Sequence, residues 1–389
     1  MIVRDFLNWV RTAPAGRRAE ATGALARAYL YSDLGADDLA AGEGAMLMLL
    51  DDPSPLVRRA LADALAASPS APPAIVLALA ADQPEIAAPV LALSPLFVDA
   101  DLVDAAATGT AAVQAAIAGR AALPRSVAAA IAEVGTAESC LVLLENPGAD
   151  IAPFSIDRVV ERFGHLPAIR ETLMARADIP AATRQTLVAK LSQALAGFVA
   201  ERAWLEAERA RRIAREACEK ATVTLAATTP APQLRPLIRH LRQSAQLTAG
   251  LVLRALLSGN VVLFEEALAE LTDLPVARVS SLVHDRGSAG LRALFDRAKL
   301  PPSSYPAFKE ALDAMHEGGL VGEPGGAARL RRRMVERVLT RCEDGELGEV
   351  APLLTLLRRF ATEAAREEAR LFCDELVADG FGTEQSEAA

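Results

Sequence analysis

Aromatic residues are scarce: they make up 4% of a 389-residue chain that is 52% hydrophobic. Ala, Leu and Val must therefore do the packing. Small apolar side chains suit closely approaching helices, whereas sheets favour β-branched and aromatic ones. Strand-like alternation of any length is missing as well. The four cysteines, Cys140, Cys218, Cys342 and Cys373, lie far apart with no C-x-x-C pair. That spacing supports neither a disulfide framework nor a zinc site, and each reads as a buried free thiol. No apolar stretch is long enough to span a membrane; the nearest, residues 71–91, is broken by prolines, Asp82 and Glu85. At the N-terminus, Asp5 and Arg11 interrupt the apolar run that a signal peptide needs, so a cytoplasmic location is expected.

Positive charge is also short overall. The formal net charge is -9 and the pI about 5.2, which argues against nucleic acid as the partner. Residues 1–195 hold 15 basic against 22 acidic side chains, leaving 26 against 28 of the totals of 41 and 50 for the rest. The first half is acidic; the second is close to neutral with local basic clusters.

What is present is helical periodicity punctuated by proline and glycine. In residues 51–65, Leu56, Val57, Ala60, Leu61, Ala64 and Leu65 share one face, while Arg58, Arg59 and Asp63 point the other way. Asp52 is placed to cap this helix. Thirty residues on, Asp82, Ile86, Val90 and Leu91 repeat the offset, with Ala88 at the arginine position. A second pattern recurs as Ile117-Arg120-Leu123-Pro124, Leu173-Arg176-Ile179-Pro180, Leu268-Leu271-Leu274-Pro275 and Leu294-Arg297-Leu300-Pro301. Each copy reads as a helix end, a short turn and a proline opening the next helix. After Pro124, the residues Val127, Ala130, Ile131 and Val134 line one face up to Gly135. Helices this short cannot bury their faces alone; stacked neighbours must do it.

The residues Asp52, Pro53, Val57 and Arg58 resemble the HEAT repeat. That resemblance implies that Asp52 and Arg58 link neighbouring repeats. The fold expected is all-α: a HEAT-like solenoid over residues 1–195, then a helical second half with longer helices. In residues 196–320 a long helical pair precedes further short helices. One long helix runs from 181 to 226, or breaks near Gly197, and pairs antiparallel with 234–257. Residues 321–389 hold two final helices and a flexible tail after Gly380, beyond a glycine-rich connector at 317–326. The layout is similar to a bacterial family of unknown function with HEAT-like repeats. The likeness is carried by residues 52–58 (Asp-Pro-Ser-Pro-Leu-Val-Arg), 88–91 (Ala-Pro-Val-Leu), 116–120 (Ala-Ile-Ala-Gly-Arg) and 144–146 (Leu-Glu-Asn), and by 267–275 with 291–300. It implies a helical-repeat fold and supplies no activity.

Catalytic chemistry has little to stand on. His165, His240, His284 and His316 have no His or Cys at i+3 or i+4, and H-E-x-x-H is missing. G-x-S-x-G does not occur, and the Gly318–Gly326 cluster lacks the Lys-Ser/Thr of a phosphate loop. Paired carboxylates Asp37/Asp38 and Asp51/Asp52 sit at helix starts, where capping explains them. No catalytic residue, metal or cofactor is assigned. The most polar segment is 328–341, with Arg329, Arg331, Arg332, Arg333, Arg337 and Arg341 against Glu336 alone. Two readings stand: pairing with Glu363, Glu367 and Glu368 of the last helix, or recognition of an acidic, phosphate-bearing partner surface. The functional expectation is a non-catalytic protein-protein interaction scaffold or regulatory adaptor. Arg59, Asp63, Arg331, Arg332 and Arg333 are its candidate partner-facing residues. The alternatives are a HEAT-like enzyme acting on nucleic-acid bases, a small-ligand-binding helical-repeat protein, and a homodimer formed through the second half.

Overall fold

In the computed structural model, proline marks where helices begin. Pro55, Pro73, Pro84, Pro153 and Pro167 each open a helix, and Pro124, Pro180, Pro230 and Pro275 stand immediately before one. The ring's fixed φ suits these positions, and a missing N–H loses no hydrogen bond there. The structure describes residues 6, 8–285, 288–317, 326–343 and 351–387. Among them the chain is all-α, apart from one isolated bridge between Leu123 and Ala149. Gly148 makes that bridge possible, because a Cβ there would stand 2.0 Å from the carbonyl oxygen of Ala121. The expected glycine-rich connector lies mostly outside the described residues.

Two compact units form, Met1–Ile179 and Pro180–Ala389. The boundary read at 195/196 lies inside a continuous helix, Ala181–Glu201, whose start at Pro180 supplies the break instead.

The first unit contains α1 (Ala15–Tyr31), α2 (Ala36–Leu49), α3 (Pro55–Leu65), α4 (Pro73–Ala80), α5 (Pro84–Leu93) and α6 (Asp99–Thr108). It continues with α7 (Ala111–Ala118), α8 (Arg125–Val134), α9 (Ala137–Glu145), α10 (Pro153–Phe163) and α11 (Pro167–Ala175). Packing skips one helix at a time. α1 lies on α3, α3 on α5, α5 on α7, α7 on α9 and α9 on α11, while α6 lies on α8 and α8 on α10. Layered helical pairs produce this order. Leu61, Leu65, Ile75, Val76, Leu79, Ile86 and Val90 join Ala26 and Met46 in one core cluster. The buried arcs differ slightly from the sequence reading. α3 buries Ala62 and leaves Leu56 61% exposed, and α8 buries Ala128 and Ala132 while Val134 stays exposed. A helix held between two neighbours buries a wider arc, and its small residues face the closest approach.

Arginine and asparagine side chains tie one layer to the next. Arg18 donates Nε and Nη2 to the two carboxylate oxygens of Asp52, at 2.8 and 2.7 Å. Arg58 grips Asp82 in the same way, at 2.6 and 3.1 Å, and donates Nη1 to the Asp52 carbonyl at 2.7 Å. Asp52 therefore holds a turn, accepting also from the Ser54 N–H, and does not cap α3 as expected. Further along, the acceptors become carbonyls at helix C-termini. Arg120 donates to the carbonyls of Leu91 and Ser94, Asn146 to those of Ala118 and Arg120, and Arg176 to that of Leu144. In the other row Arg162 donates to the carbonyls of Ala132 and Gly135, each at 2.8 Å.

The second unit opens with α12 (Ala181–Glu201) and α13 (Ala207–Thr228), packed as a helical hairpin. Residues 202–206, with Ala203 at φ 55°, interrupt the long helix there and not at Gly197. The Glu206 side chain then caps α13, accepting from the N–H groups of Glu208 and Arg209. The expected partner helix 234–257 is two helices, α14 (Ala231–Gln243) and α15 (Ala249–Leu257), so the antiparallel pair is α12 with α13. There follow α16 (Val261–Thr272), α17 (Val276–His284), α18 (Ser288–Arg297), a 3-10 turn (Pro302–Ser304), α19 (Tyr305–Glu317), α20 (Gly326–Glu343) and α21 (Ala351–Glu387). α21 continues as helix through the segment read as a tail. Phe264, Phe295 and Phe308 stack and tilt against one another in its main core, with Val338 and Leu357 from α20 and α21. Arg297 donates Nε to the carbonyl of Thr272 at 2.7 Å, repeating the interlayer device of the first unit.

Replacing Arg120 with Lys keeps the charge and loses the planar fork that spans two carbonyls. The expected cost is about 2 kcal/mol, the scale for an unsatisfied buried polar group, read as a lower urea midpoint with an unchanged m-value. An acid-side effect is expected too. The Arg58 bond holds the Asp82 carboxyl below its usual range against partial burial. At Asp52 burial pushes upward, but the Arg18 and Ser54 bonds and the Arg18 and Arg58 charges outweigh it. Folding therefore releases protons here, so this stability is complete above about pH 4, near the unfolded pKa, and is lost as pH falls through the depressed values. Asp82→Asn should be less stable at pH 7 and should show a shallower loss below about pH 4.

Candidate functional site

Helix lengths in the second unit leave a concave corner. α12 and α13 have 21 and 22 residues, α14 only 13 and α15 only 9. At 1.5 Å per residue the hairpin runs for about 30 Å and α14 for about 20 Å, so the hairpin's outer part projects beyond its neighbour. A cavity of about 530 Å³ opens there, between α12, α13 and residues 244–251. Its walls are small: Ala189, Ala196, Gly197 and Ala200 on α12 face Ala207 and Ala214 on α13. Ala189 and Ala196, like Ala207 and Ala214, are two helical turns apart, and Ala200 follows Ala196 and Gly197 at i+4 and i+3, so each helix offers one shallow face.

The floor is polar. Ser192, Cys218, Thr222, Gln246 and Thr248 line it. Fully buried Gln185 donates to Gln246 and meets His240, whose ring also lies 3.0 Å from the Thr186 hydroxyl. Thr248 donates to Glu219 at 2.9 Å. Burial raises the Glu219 carboxyl above its usual range, opposed by that bond and by the charges of Arg254 and Arg215. Burial likewise raises the Cys218 thiol, and raises that of Cys140 to about 11, so neither is a poised thiolate. Cys373 is exposed, contrary to the expectation of burial, and the Cys342 side chain lies outside the described set. Among the described residues no group of three or more His, Cys, Asp or Glu could hold a metal ion.

At the outer end of the groove, the turn between the two helices carries an exposed aromatic pair. Phe198 and Trp204 meet edge to face with centroids 5.7 Å apart, and the Arg202 guanidinium covers both rings. Trp204 is 64% exposed, with Leu195 and Ile213 exposed nearby in sequence on the same two helices.

The residues singled out in sequence sit elsewhere. Arg59 pairs with Asp63 at 2.7 Å and donates to the carbonyl of Glu85, while both side chains stay about half exposed. Arg331 bonds Glu367 and Arg332 bonds Glu368, two of the acids of the last helix that the sequence offered as partners, and Arg332 also bonds Glu336 on its own helix. Glu363 instead pairs with Lys220 and Arg254. Arg333 is exposed with no ion pair among the described residues, and the Arg329 side chain lies outside them. The structure also brings His284 and His316 within 3.4 Å, with Glu265 2.9 Å from His284. Their separation of 32 residues hides that neighbourhood in the sequence. The groove did leave a signal there: an Ala/Gly stripe beside a rare tryptophan.

A family model described as an uncharacterised protein conserved in bacteria (DUF2336) matches residues 86–348, more than half of the chain, and the chain belongs to that family. The matched span includes the whole groove and excludes the Asp52–Arg58 repeat. No curated protein and no solved structure matches.

Glu219 generates a signed expectation. Its folded carboxyl holds a proton more tightly than the unfolded one, so its stability contribution is complete below about pH 4 and is lost as pH rises through the raised value. Glu219→Gln should therefore gain thermal stability relative to the native chain across pH 4–8. Parallel midpoint curves would mean that the carboxyl is solvated.

Proposed function

From membership of that bacterial family, we propose that the chain is a non-catalytic protein-interaction module, an adaptor in the bacterial cytoplasm. We place the partner, an α-helical segment of another protein, in the groove on the outer half of the α12–α13 hairpin. The observation that carries this is Gly197. Glycine inside a helix costs about 1 kcal/mol relative to alanine. An added Cβ at Gly197 would meet nothing within 4 Å, so this chain's own packing does not require the missing side chain. Close approach by a second backbone does require it. The small faces of both helices fit a helix laid into a groove. Trp204 and Phe198 supply the aromatic anchors typical of binding hot spots. Arg215 lines the groove, with Arg211 beside it already paired to Glu208, and the Arg215 charge favours an acidic residue beside the partner's apolar stripe. In this reading the layered first unit is a HEAT-like solenoid, with Arg59 and Asp63 on its surface. Arg333 would add a lesser contact. A small amphipathic ligand is the second reading, favoured by the polar floor at Ser192, Gln246 and Thr248.

Gly197→Ala should stabilise the fold by about 0.5–1 kcal/mol while weakening partner binding, and Gly197→Leu should close the groove with the helix intact. A photo-crosslinking residue in place of Ile213 would be used in the native host. The expected result is a discrete adduct with a different protein, reduced about tenfold or more by Gly197→Leu and by Trp204→Ala. Adducts unchanged in both variants would overturn the reading. An adduct of the chain with itself alone would replace the partner with a second copy.

A further inference from the structure

Glu219 lines the groove, and the chain's own contacts use only half of its carboxyl. Room for that carboxyl comes from Gly250, where a Cβ would stand 3.3 and 3.4 Å from its two oxygens. Thr248 donates to Oε1 at 2.9 Å, while the Thr248 hydroxyl oxygen accepts the Leu251 N–H and caps α15. Oε2 has no hydrogen-bond partner among the described residues. It is not closed off either: the side-chain atoms that are both unpartnered and shut away from solvent belong to Arg120, Ser155, Arg254, Asn260, Glu310 and Arg331. This oxygen is therefore open.

No cation among the described residues forms an ion pair with Glu219. Arg254 is bonded to Glu363 and Arg359 to Glu216. Glu219 also lines a second cavity of about 560 Å³ between α13, the start of α15 and α21, and it shares that double position with Arg215 and Thr248. Glu219 thus stands where the two spaces meet. Burial opposes its charge, so the free chain would be better served by a neutral side chain. A group kept against stability in a concave site is one that function can use.

The chemistry of the missing partner follows from the geometry. A guanidinium makes its paired bonds to both oxygens of a carboxylate, and here Thr248 holds one of them. A compact ammonium needs only the other. Its remaining donors match the Ser192 and Gln246 oxygens that line the same floor. We propose that Glu219 is a specificity contact of the groove and receives the ammonium of a lysine carried by the partner helix. This rests on the groove reading and deepens it: the partner's stripe carries a lysine towards the floor, with the acid that Arg215 favours beside it.

The test uses the full chain in the native host, with the photo-crosslinking residue in place of Ile213. Glu219→Gln keeps the side-chain shape and is expected to be the more thermostable form, so a lost adduct would not be a folding defect. The adduct should fall about tenfold or more in that variant, and mass spectrometry of the native adduct should place a lysine in the cross-linked partner segment. Exchanging that lysine for methionine should lower the adduct equally, with no further loss when combined with Glu219→Gln. An adduct that Gly197→Leu removes but Glu219→Gln leaves unchanged, or a cross-linked segment without lysine, would overturn this inference and leave the groove reading standing. Absence of any adduct sensitive to Gly197→Leu would remove the groove reading, and this inference with it.

Discussion

Short helices leave many backbone carbonyls without partners, and satisfying those carbonyls between layers is the constraint this fold is organised around. Each helix ends with up to four unpaired carbonyls. Helices of 8–11 residues, as in much of the first unit, place such ends close together and under the next layer. Arg120, Arg162, Arg176 and Arg297, with Asn146, supply the donors from neighbouring helices. Arginine suits the task, since its planar fork reaches two carbonyls at once and its charge meets the negative end of the helix dipole. Burial still opposes its charge, and the Arg120 guanidinium is depressed by desolvation for that reason. The arrangement holds because two carbonyls compensate.

That use of arginine bears on function. Basic residues that look available in sequence are consumed internally: Arg59 by Asp63 and the Glu85 carbonyl, Arg331 and Arg332 by the acids of α21. In the proposed reading, recognition falls mainly to shape and apolar surface, and the hairpin overhang offers both. Its walls of alanine and one glycine, with the Trp204 corner at the lip, depend on α12 and α13 outlasting α14. The helix lengths that make the groove follow from where Pro180, Glu206 and Pro230 set the starts.

Much of the fold was legible for physical reasons. Proline at helix starts, apolar residues at helical spacing and the scarcity of aromatics all pointed to short stacked helices. Arg120, Arg176 and Arg297 even stood out as members of one pattern, at helix ends. Their partners could not be read, because the carbonyls they meet lie 25–32 residues earlier and come into reach only after the layers stack. The break in the long helix was misplaced for a related reason. Gly197 is the conspicuous local breaker, yet an interior glycine costs about 1 kcal/mol, which the packing of α12 against α13 overrides. The candidate site was only half visible: its alanine stripe reads as ordinary helix interior until the neighbouring helix proves too short to cover it.

Where the donor-to-carbonyl pairing is complete, nothing further is needed, and the layers of the first unit are largely of that kind. In the second unit Arg254 Nε, Asn260 Nδ2 and Arg331 Nε are buried without an acceptor among the described residues, as are Arg120 Nε and the Ser155 hydroxyl in the first. Asn260 shows why removing these donors would not be neutral: one end of its amide caps α16 and the other is left over. An aspartate would serve the cap alone and leave no spare donor.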